Sequence, residues 1–418
     1  MERFGRYLLL ERVACGGMAE VFRAATLGSP EFSNSVAIKM ILPELAEDPA
    51  SAAMLVEEAR IAARLKHKNV VRLLDLGIKQ GRHFIAMDFV AGQPAHNIIV
   101  ATVRARQALP FAFTLDVVGQ ALQGLQYAHG LRDSRGYPLN IVHRDVSPQN
   151  IMVGYDGRVC LLDFGIAKAT HSVSRTRAGV LRGKAGYVAP EVVRGSTHTQ
   201  SADLYAMGVV LYELLALRRM RTPRHDAQAL TEAAHGTFRR FDEIGVEVPE
   251  EVARLVYRAL DPDPDLRFPD ATSFLAALQR VSALFPPWNA QSTAALMADL
   301  FPAELAAERD AATRFSPMLK RASRQASPTP SPFPALPPAT PVPLSLDSVR
   351  PARQSTPPRP HRPVVLVHNA SRRWMGPAAA VGAGLLAGLL AAAAASASGM
   401  ELLPPAPATA AAALPPPR

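Results

Sequence analysis

Cysteine is almost missing from this chain. Cys15 and Cys160 are the 2 in 418 residues, too few for a disulfide framework, and a reducing compartment is expected. Nothing at the N-terminus reads as a secretory leader, and none is expected: Met1-Glu2-Arg3-Phe4-Gly5-Arg6 runs straight into strand-like Tyr7-Leu8-Leu9-Leu10 with no long apolar core. No internal repeat is evident. Acid is scarce in one stretch only. Residues 316–373 hold nine Lys/Arg against the single acid Asp347, so most of the formal net charge of +10 belongs to that stretch. Residues 1–315 are close to neutral, which argues against a nucleic-acid-binding domain and for a basic segment beside an anionic membrane.

The pattern along the chain divides it. Residues 7–90 read as strands with one helix, and residues 93–281 read as mostly helix, which suggests two α+β lobes meeting near residues 90–91. Residues 284–315 carry apolar Leu296, Met297, Leu300, Phe301 and Leu305 and are expected to pack as helix on the larger lobe. Residues 316–363 contain fourteen prolines among serines, threonines and arginines, the composition of a stiff, disordered linker, taken here as 316–373. Residues 376–400 contain no charged residue. As a helix they would rise roughly 37 Å, enough for a bilayer core of about 30 Å. Arg372, Arg373 and Trp374 flank that stretch as at a cytoplasmic boundary. The expectation is a single-pass membrane protein with its globular part in the cytoplasm. An alanine-rich disordered tail on a cytoplasmic protein is the alternative. Gly384 and Gly388 form a small-xxx-small pair that would support self-association of such a helix. Residues 401–418 read as a short disordered tail.

The chemistry lies in three short tracts. Ile141-Val142-His143-Arg144-Asp145-Val146-Ser147-Pro148-Gln149-Asn150 is followed by Asp163-Phe164-Gly165 and then by Ala189-Pro190-Glu191. A carboxylate, an amide five residues on, and a second carboxylate after a short hairpin are what metal-assisted phosphoryl transfer needs. Asp145 is the candidate base; Asn150 and Asp163 are the candidate magnesium ligands. Upstream, Val13-Ala14-Cys15-Gly16-Gly17-Met18-Ala19-Glu20-Val21 joins two strand-like runs through a glycine turn, where backbone N–H groups can approach phosphates. Val36-Ala37-Ile38-Lys39 is an apolar strand ending in a cation. Met54, Glu58, Ile61 and Leu65 share one helical face, which puts Glu58 on an inward stripe where a carboxylate needs a cation, and Lys39 is the candidate. Glu57, about 100° around that helix, is expected to face water. In this order and spacing the chain resembles the protein-kinase superfamily, most closely the eukaryotic-like serine/threonine kinases of bacteria.

That resemblance covers about two-thirds of the chain and implies a bilobal α+β kinase fold over residues 7–281, with ATP and Mg2+ as cofactors and proteins as substrates. It implies that Lys39, held by Glu58, positions the α- and β-phosphates. It places Ala37 and Met87 against the adenine, with the backbone of Asp88 and Val90 hydrogen-bonding the purine. It makes Thr170, Ser172, Ser174 and Thr176 candidates for a phosphate that meets Arg144, with Arg175 and Arg177 nearby. His143 and Phe164 are expected to pack, Asp203 to hold the catalytic-loop backbone, and Arg267 to pair with Glu191.

The chain departs from the family pattern in several places. Ala14 and Ala19 replace two of the usual loop glycines. Ser147 stands where serine/threonine members place lysine, and Lys184 stands where they place threonine. One reading is a swap, in which the Lys184 ammonium neutralises charge near the γ-phosphate. The other is impaired catalysis, with Lys184 in solvent. At the level of function the leading expectation is an active protein serine/threonine kinase that also phosphorylates its own activation segment. A non-catalytic kinase-like scaffold is the alternative. A small-molecule kinase is disfavoured by the 29-residue segment from Asp163 to Glu191. Self-association through the kinase domain is a further possible contact.

Overall fold

Alternation along the strand Ser35–Ile41 sets the smaller lobe. Val36, Ile38 and Met40 are almost fully buried in one face, which leaves Ala37 and Lys39 on the other, because side chains alternate across a pleated strand. The computed structural model describes residues 2–15, 19–27, 35–41, 62–79, 82–164, 185–221 and 226–324. In the small lobe these form strands β1 (Glu2–Phe4), β2 (Tyr7–Cys15), β3 (Ala19–Thr26), β4 (Ser35–Ile41), β5 (Leu73–Lys79) and β6 (Arg82–Asp88). They make one antiparallel sheet in the order β1-β2-β3-β4-β6-β5. Phe4, Tyr7, Leu9, Ala24, Val36, Ile38, Met40, Phe84 and Ala86 form its core. The Phe84 ring meets Phe4 and Tyr7 edge-on at 5.1 and 6.1 Å, a favoured aromatic geometry.

The chain then crosses to a helical lobe. A small sheet of β7 (Gly92–Pro94), β8 (Ile151–Gly154) and β9 (Val159–Leu161) sits at its top. Below it lie α1 (Ala95–Ala105), α2 (Phe111–His129), α3 (Pro190–Val193), α4 (Gln200–Ala216), α5 (Asp226–His235), α6 (Glu250–Ala259) and α7 (Ala271–Ser282). Helix α4 is apolar on nearly every side, and its residues are buried almost throughout. A helix of that composition belongs at the centre of a lobe, and α4 packs against α2 and α6. Gly208 of α4 permits the second contact, since a Cβ there would press on the Ala259 side chain.

Two helices follow: α8 (Ala290–Leu300) and α9 (Pro302–Arg324). Met297 and Phe301 join the large-lobe core, with Leu296 and Leu300 against it. The extension expected to pack on the large lobe alone is nevertheless shared between the lobes. Ala311 and Phe315 of α9 are buried with Ala25, Leu8 and Leu10 of the small-lobe sheet. The helix also runs on to Arg324, past the boundary at 315/316 that proline composition suggested.

The helix expected over Met54–Leu65 falls mostly on residues 42–61, and these, Glu57 and Glu58 among them, lie outside the described residues. The linker after residue 324, the proposed membrane segment 376–400 and the tail 401–418 also lie outside them. Among the described residues, no helix is long and apolar enough to cross a membrane.

Candidate active site

Pairing in the small sheet carries Lys39 to the cleft. Lys39 lies opposite Val21 and Ile85, and Ala37 lies opposite Met87, so these residues share the face turned from the small-lobe core. From there the Lys39 Nζ meets the Asp163 Oδ1 at 3.0 Å. A pocket behind this pair is lined by Ala62, Val71, Leu73, Ile85, Met87, Leu161, Asp163 and Phe164. It brings β5 and β6 of one lobe against the end of β9 in the other. Val90 is buried at the crossing between the lobes, and the Asp88 N–H is bound by the Arg72 carbonyl at 3.0 Å.

The catalytic loop is held from below by one carboxylate. Asp203, in the first turn of α4, accepts the backbone N–H of His143 at 2.7 Å and that of Arg144 at 2.8 Å. His129 Nε2 adds a contact at 2.9 Å, and His198 Nε2 lies 3.6 Å away. Burial alone pushes the Asp203 pKa up. The hydrogen bonds from His129 and His198 and the nearby imidazoles outweigh it and hold the group below the usual carboxylate range. Arg144 then turns through a positive φ of 64°, and Asp163 through one of 42°. Both are strained positions for residues with a Cβ, and they flank the site on its two sides. His143 is fully buried and bonds Leu162 O at 3.0 Å through Nε2, and its Nδ1 accepts the Asp145 N–H at 3.3 Å. Its ring lies 4.4 Å from that of Phe164. Burial keeps the His143 pKa low, so the ring is neutral. Both rings therefore pack and position.

Asn150 closes the loop. Its Nδ2 donates to Asp145 O at 2.7 Å, and its own carbonyl accepts the Leu162 N–H at 2.9 Å. With the amide nitrogen committed, the oxygen is the group turned to a cation. An amide oxygen and the Asp163 carboxylate are hard donors suited to Mg2+. Among the described residues no group of three or more His, Cys, Asp or Glu side chains stands ready to hold a metal. Such a donor set fits an ion that brings further oxygens with it, as phosphate-bound magnesium does. Among the described residues, Arg144 Nε, Ser147 Oγ and Gln149 Oε1 are buried near Asp145 in sequence with no hydrogen-bond partner. Ser147 is 1% exposed, so its hydroxyl is an unspent group beside the candidate base.

Of the glycine turn, Val13, Ala14, Cys15, Ala19, Glu20 and Val21 are placed at the facing ends of β2 and β3, with Ala14 opposite Val21 and Cys15 opposite Glu20. Gly16, Gly17 and Met18 lie outside the described residues. The Glu20 carboxylate is engaged by Arg12 at 3.1 Å and Arg82 at 3.0 Å, so only its backbone is left for a nucleotide. Lys184 and the hydroxyls Thr170, Ser172, Ser174 and Thr176 also lie outside the described residues. The segment reappears at Ala185–Tyr187, and its anchors were missed in the sequence. Arg221 donates to Gly186 O at 3.0 Å. The Tyr187 hydroxyl donates to Glu213 at 2.7 Å, and burial raises the Glu213 pKa. The signal was a lone carboxylate in the apolar run Leu211-Tyr212-Glu213-Leu214. Glu191 and Arg267 form a paired bridge at 2.9 and 2.7 Å. Buried Cys160 has a thiol pushed up to about 11 by burial, and it is inert to the chemistry beside it.

The sequence and the fold match known proteins over this same region. The family model of the protein kinase domain matches residues 7–278. Tyrosine-protein kinase MasK of Myxococcus xanthus (strain DK1622) is 38% identical over 279 residues, covering 67% of this chain and 43% of that protein. Serine/threonine-protein kinase Pkn3 of Myxococcus xanthus is 35% identical over 289 residues, covering 66% and 50%. PknA of Mycobacterium tuberculosis is 32% identical over 284 residues, covering 67% and 62%. The chain thus spans between 43% and 62% of these relatives' lengths. The crystal structure of the M. tuberculosis PknI kinase domain superposes with a TM-score of 0.51 at 26% identity, over 68% of this chain and 97% of that one. With a β-rich small lobe, a helical large lobe and Lys39, Asp145, Asn150 and Asp163 gathered where they meet, the chain belongs to the protein kinase domain family and resembles its bacterial eukaryotic-like members.

Proposed function

We propose that this protein transfers the γ-phosphoryl group of Mg-ATP to serine or threonine hydroxyls of proteins, its own activation segment among them. The observation that carries this reading is the linked set Lys39–Asp163 and Asn150–Asp145. The first pair joins a cation to a candidate metal ligand, and the second ties the Asn150 side chain to the Asp145 backbone, so that base and metal ligands are held together. Magnesium, when bound, neutralises charge on the phosphates. Asn150 Oδ1 and the Asp163 carboxylate would hold it, and Lys39, paired with Asp163 here, would be the cation for phosphate oxygens. Asp145 orients the acceptor hydroxyl and takes its proton as the phosphoryl group leaves. Autophosphorylation in Mg-ATP beside Asp145→Asn tests this. The variant loses about a hundredfold to ten-thousandfold in turnover and keeps its affinity for a non-hydrolysable ATP analogue. Equal incorporation by both proteins would favour the scaffold reading.

Tyrosine is the second reading for the acceptor, since MasK carries that name and the lysine usual in serine/threonine members is Ser147 here. Phosphoamino-acid analysis of the autophosphorylated chain decides between them. The swap is supported by the identity of position 147 alone: Ser147 supplies no cation there, and Lys184 carries one in the same segment of the family pattern. Lys184→Ala then lowers kcat more than nucleotide affinity, and unchanged turnover rejects the swap. We further propose that residues 376–400 anchor the kinase domain on the cytoplasmic side of a membrane, self-associating through Gly384 and Gly388. Unchanged cell fractionation after deletion of residues 374–418 rejects anchoring.

A further inference from the structure

Helix α9 lies beyond the residues that the family model matches, yet it docks on the small-lobe sheet. On the way it buries a charge. The Arg23 side chain of β3 is 4% exposed, and its Nη1 and Nη2 each lie 2.8 Å from a carboxylate oxygen of Glu308 in α9. A buried guanidinium needs such a partner, and a two-pronged pair fixes direction as well as charge. Glu11 stands farther off at 3.6 Å, and Ser35 Oγ accepts from Nε and Nη2 at 3.2 Å.

The same guanidinium lies 4.6 Å over the Phe89 ring and 5.8 Å from that of Phe315. Phe89 belongs to the link between the lobes, between Asp88 and Val90, and its N–H donates to Ser35 O at 3.3 Å. A continuous path of contacts therefore runs from Glu308 through Arg23 to Phe89. Ala311 and Phe315 of the same helix also pack on Ala25. A buried ion pair adds little stability over such packing, but it does fix the register of α9 against β3 and the plane of the guanidinium on Phe89.

We propose that Arg23 and Glu308 are positioning residues for nucleotide binding: by docking α9 on β3 they hold the Asp88–Val90 link in the geometry that receives the purine. This rests on reading the cleft as an ATP site. The test uses the full chain with Glu308→Gln and Glu308→Asp, measuring calorimetric affinity for AMP-PNP with Mg2+ and, separately, kcat and KM for ATP. Glu308→Gln weakens AMP-PNP binding and raises KM by roughly threefold to tenfold, with kcat nearly unchanged. Glu308→Asp, which keeps the charge, recovers much of that loss. A Glu308→Gln chain that melts earlier but binds AMP-PNP like the parent overturns the proposal and leaves α9 a structural brace. A parent chain that binds no AMP-PNP overturns the nucleotide reading itself, a result distinct from equal binding by both chains.

Discussion

Asp203 shows how one side chain organises several others. Two backbone N–H groups and His129 converge on it, so its ionised form is favoured chiefly by hydrogen bonds. Its pKa lies below the ordinary 3.8. The stability it lends is therefore complete above about pH 4 and is lost in stronger acid, as pH falls through its folded value. His143 acts higher on the scale. Burial holds it neutral with a pKa below 6.5, whereas in the unfolded chain it takes up a proton near that value. Its contribution is present above about pH 6.5 and declines as pH falls through its folded value. The melting temperature is expected to drop between pH 7.5 and 5. His143→Phe melts lower at pH 7.5 for want of the bond to Leu162, but it loses less on acidification. Thermal scans of both proteins across that range check it; parallel slopes would assign the effect to other histidines, such as His67 and His96, whose values burial also lowers.

At the scale of elements, the strands were readable and the docking was not. Val36-Ala37-Ile38-Lys39 carried its own alternation, and the apolar run after Asp203 carried its burial, because local period reports which face is hidden. Strand order, and the fact that Lys39 meets Asp163, depend on contacts distant in sequence that no local pattern encodes. The family resemblance supplied those pairings. Helix α9 was misjudged for the same reason. Its apolar face was visible at Leu305, but its docking site on β2 and β3 is not adjacent in sequence, and proline content from Pro317 onward suggested a linker where the helix continues. Glu191 at the start of α3 and Arg267 before α7 are joined across 76 positions. Their bridge fixes the end of the activation segment to the large lobe. The Arg267 side chain is fully enclosed and Glu191 nearly so, so removing the acid strands a buried cation. Glu191→Ala is expected to cost about 3–5 kcal/mol in urea denaturation, far more than an exposed pair such as Arg254–Glu250 contributes. A loss no larger than that of a surface pair would mean that water reaches the guanidinium.

For the whole molecule, α9 makes the difference between two separate lobes and a braced pair. It begins at Pro302 beside the large-lobe core residue Phe301 and buries Ala311 and Phe315 on the small lobe. A chain ending at Arg324 keeps every described element and is expected to melt within about 2 °C of the full chain, since one small unit of stability shifts a domain of this size by only a few degrees. A chain ending at Leu300 loses Phe301 from the large-lobe core and uncovers Leu8, Leu10, Ala25 and Arg23 on the small lobe. Losing the buried Phe301 ring and the packing of Ala311 and Phe315 costs about 3–5 kcal/mol, which corresponds to a fall of roughly 5–15 °C, and the uncovered sheet face favours aggregation. Differential scanning of the two truncations separates the contributions. If the shorter chain melts with the longer one, α9 is not fastened to the small lobe in solution, and the link between the lobes is set by the kinase domain alone.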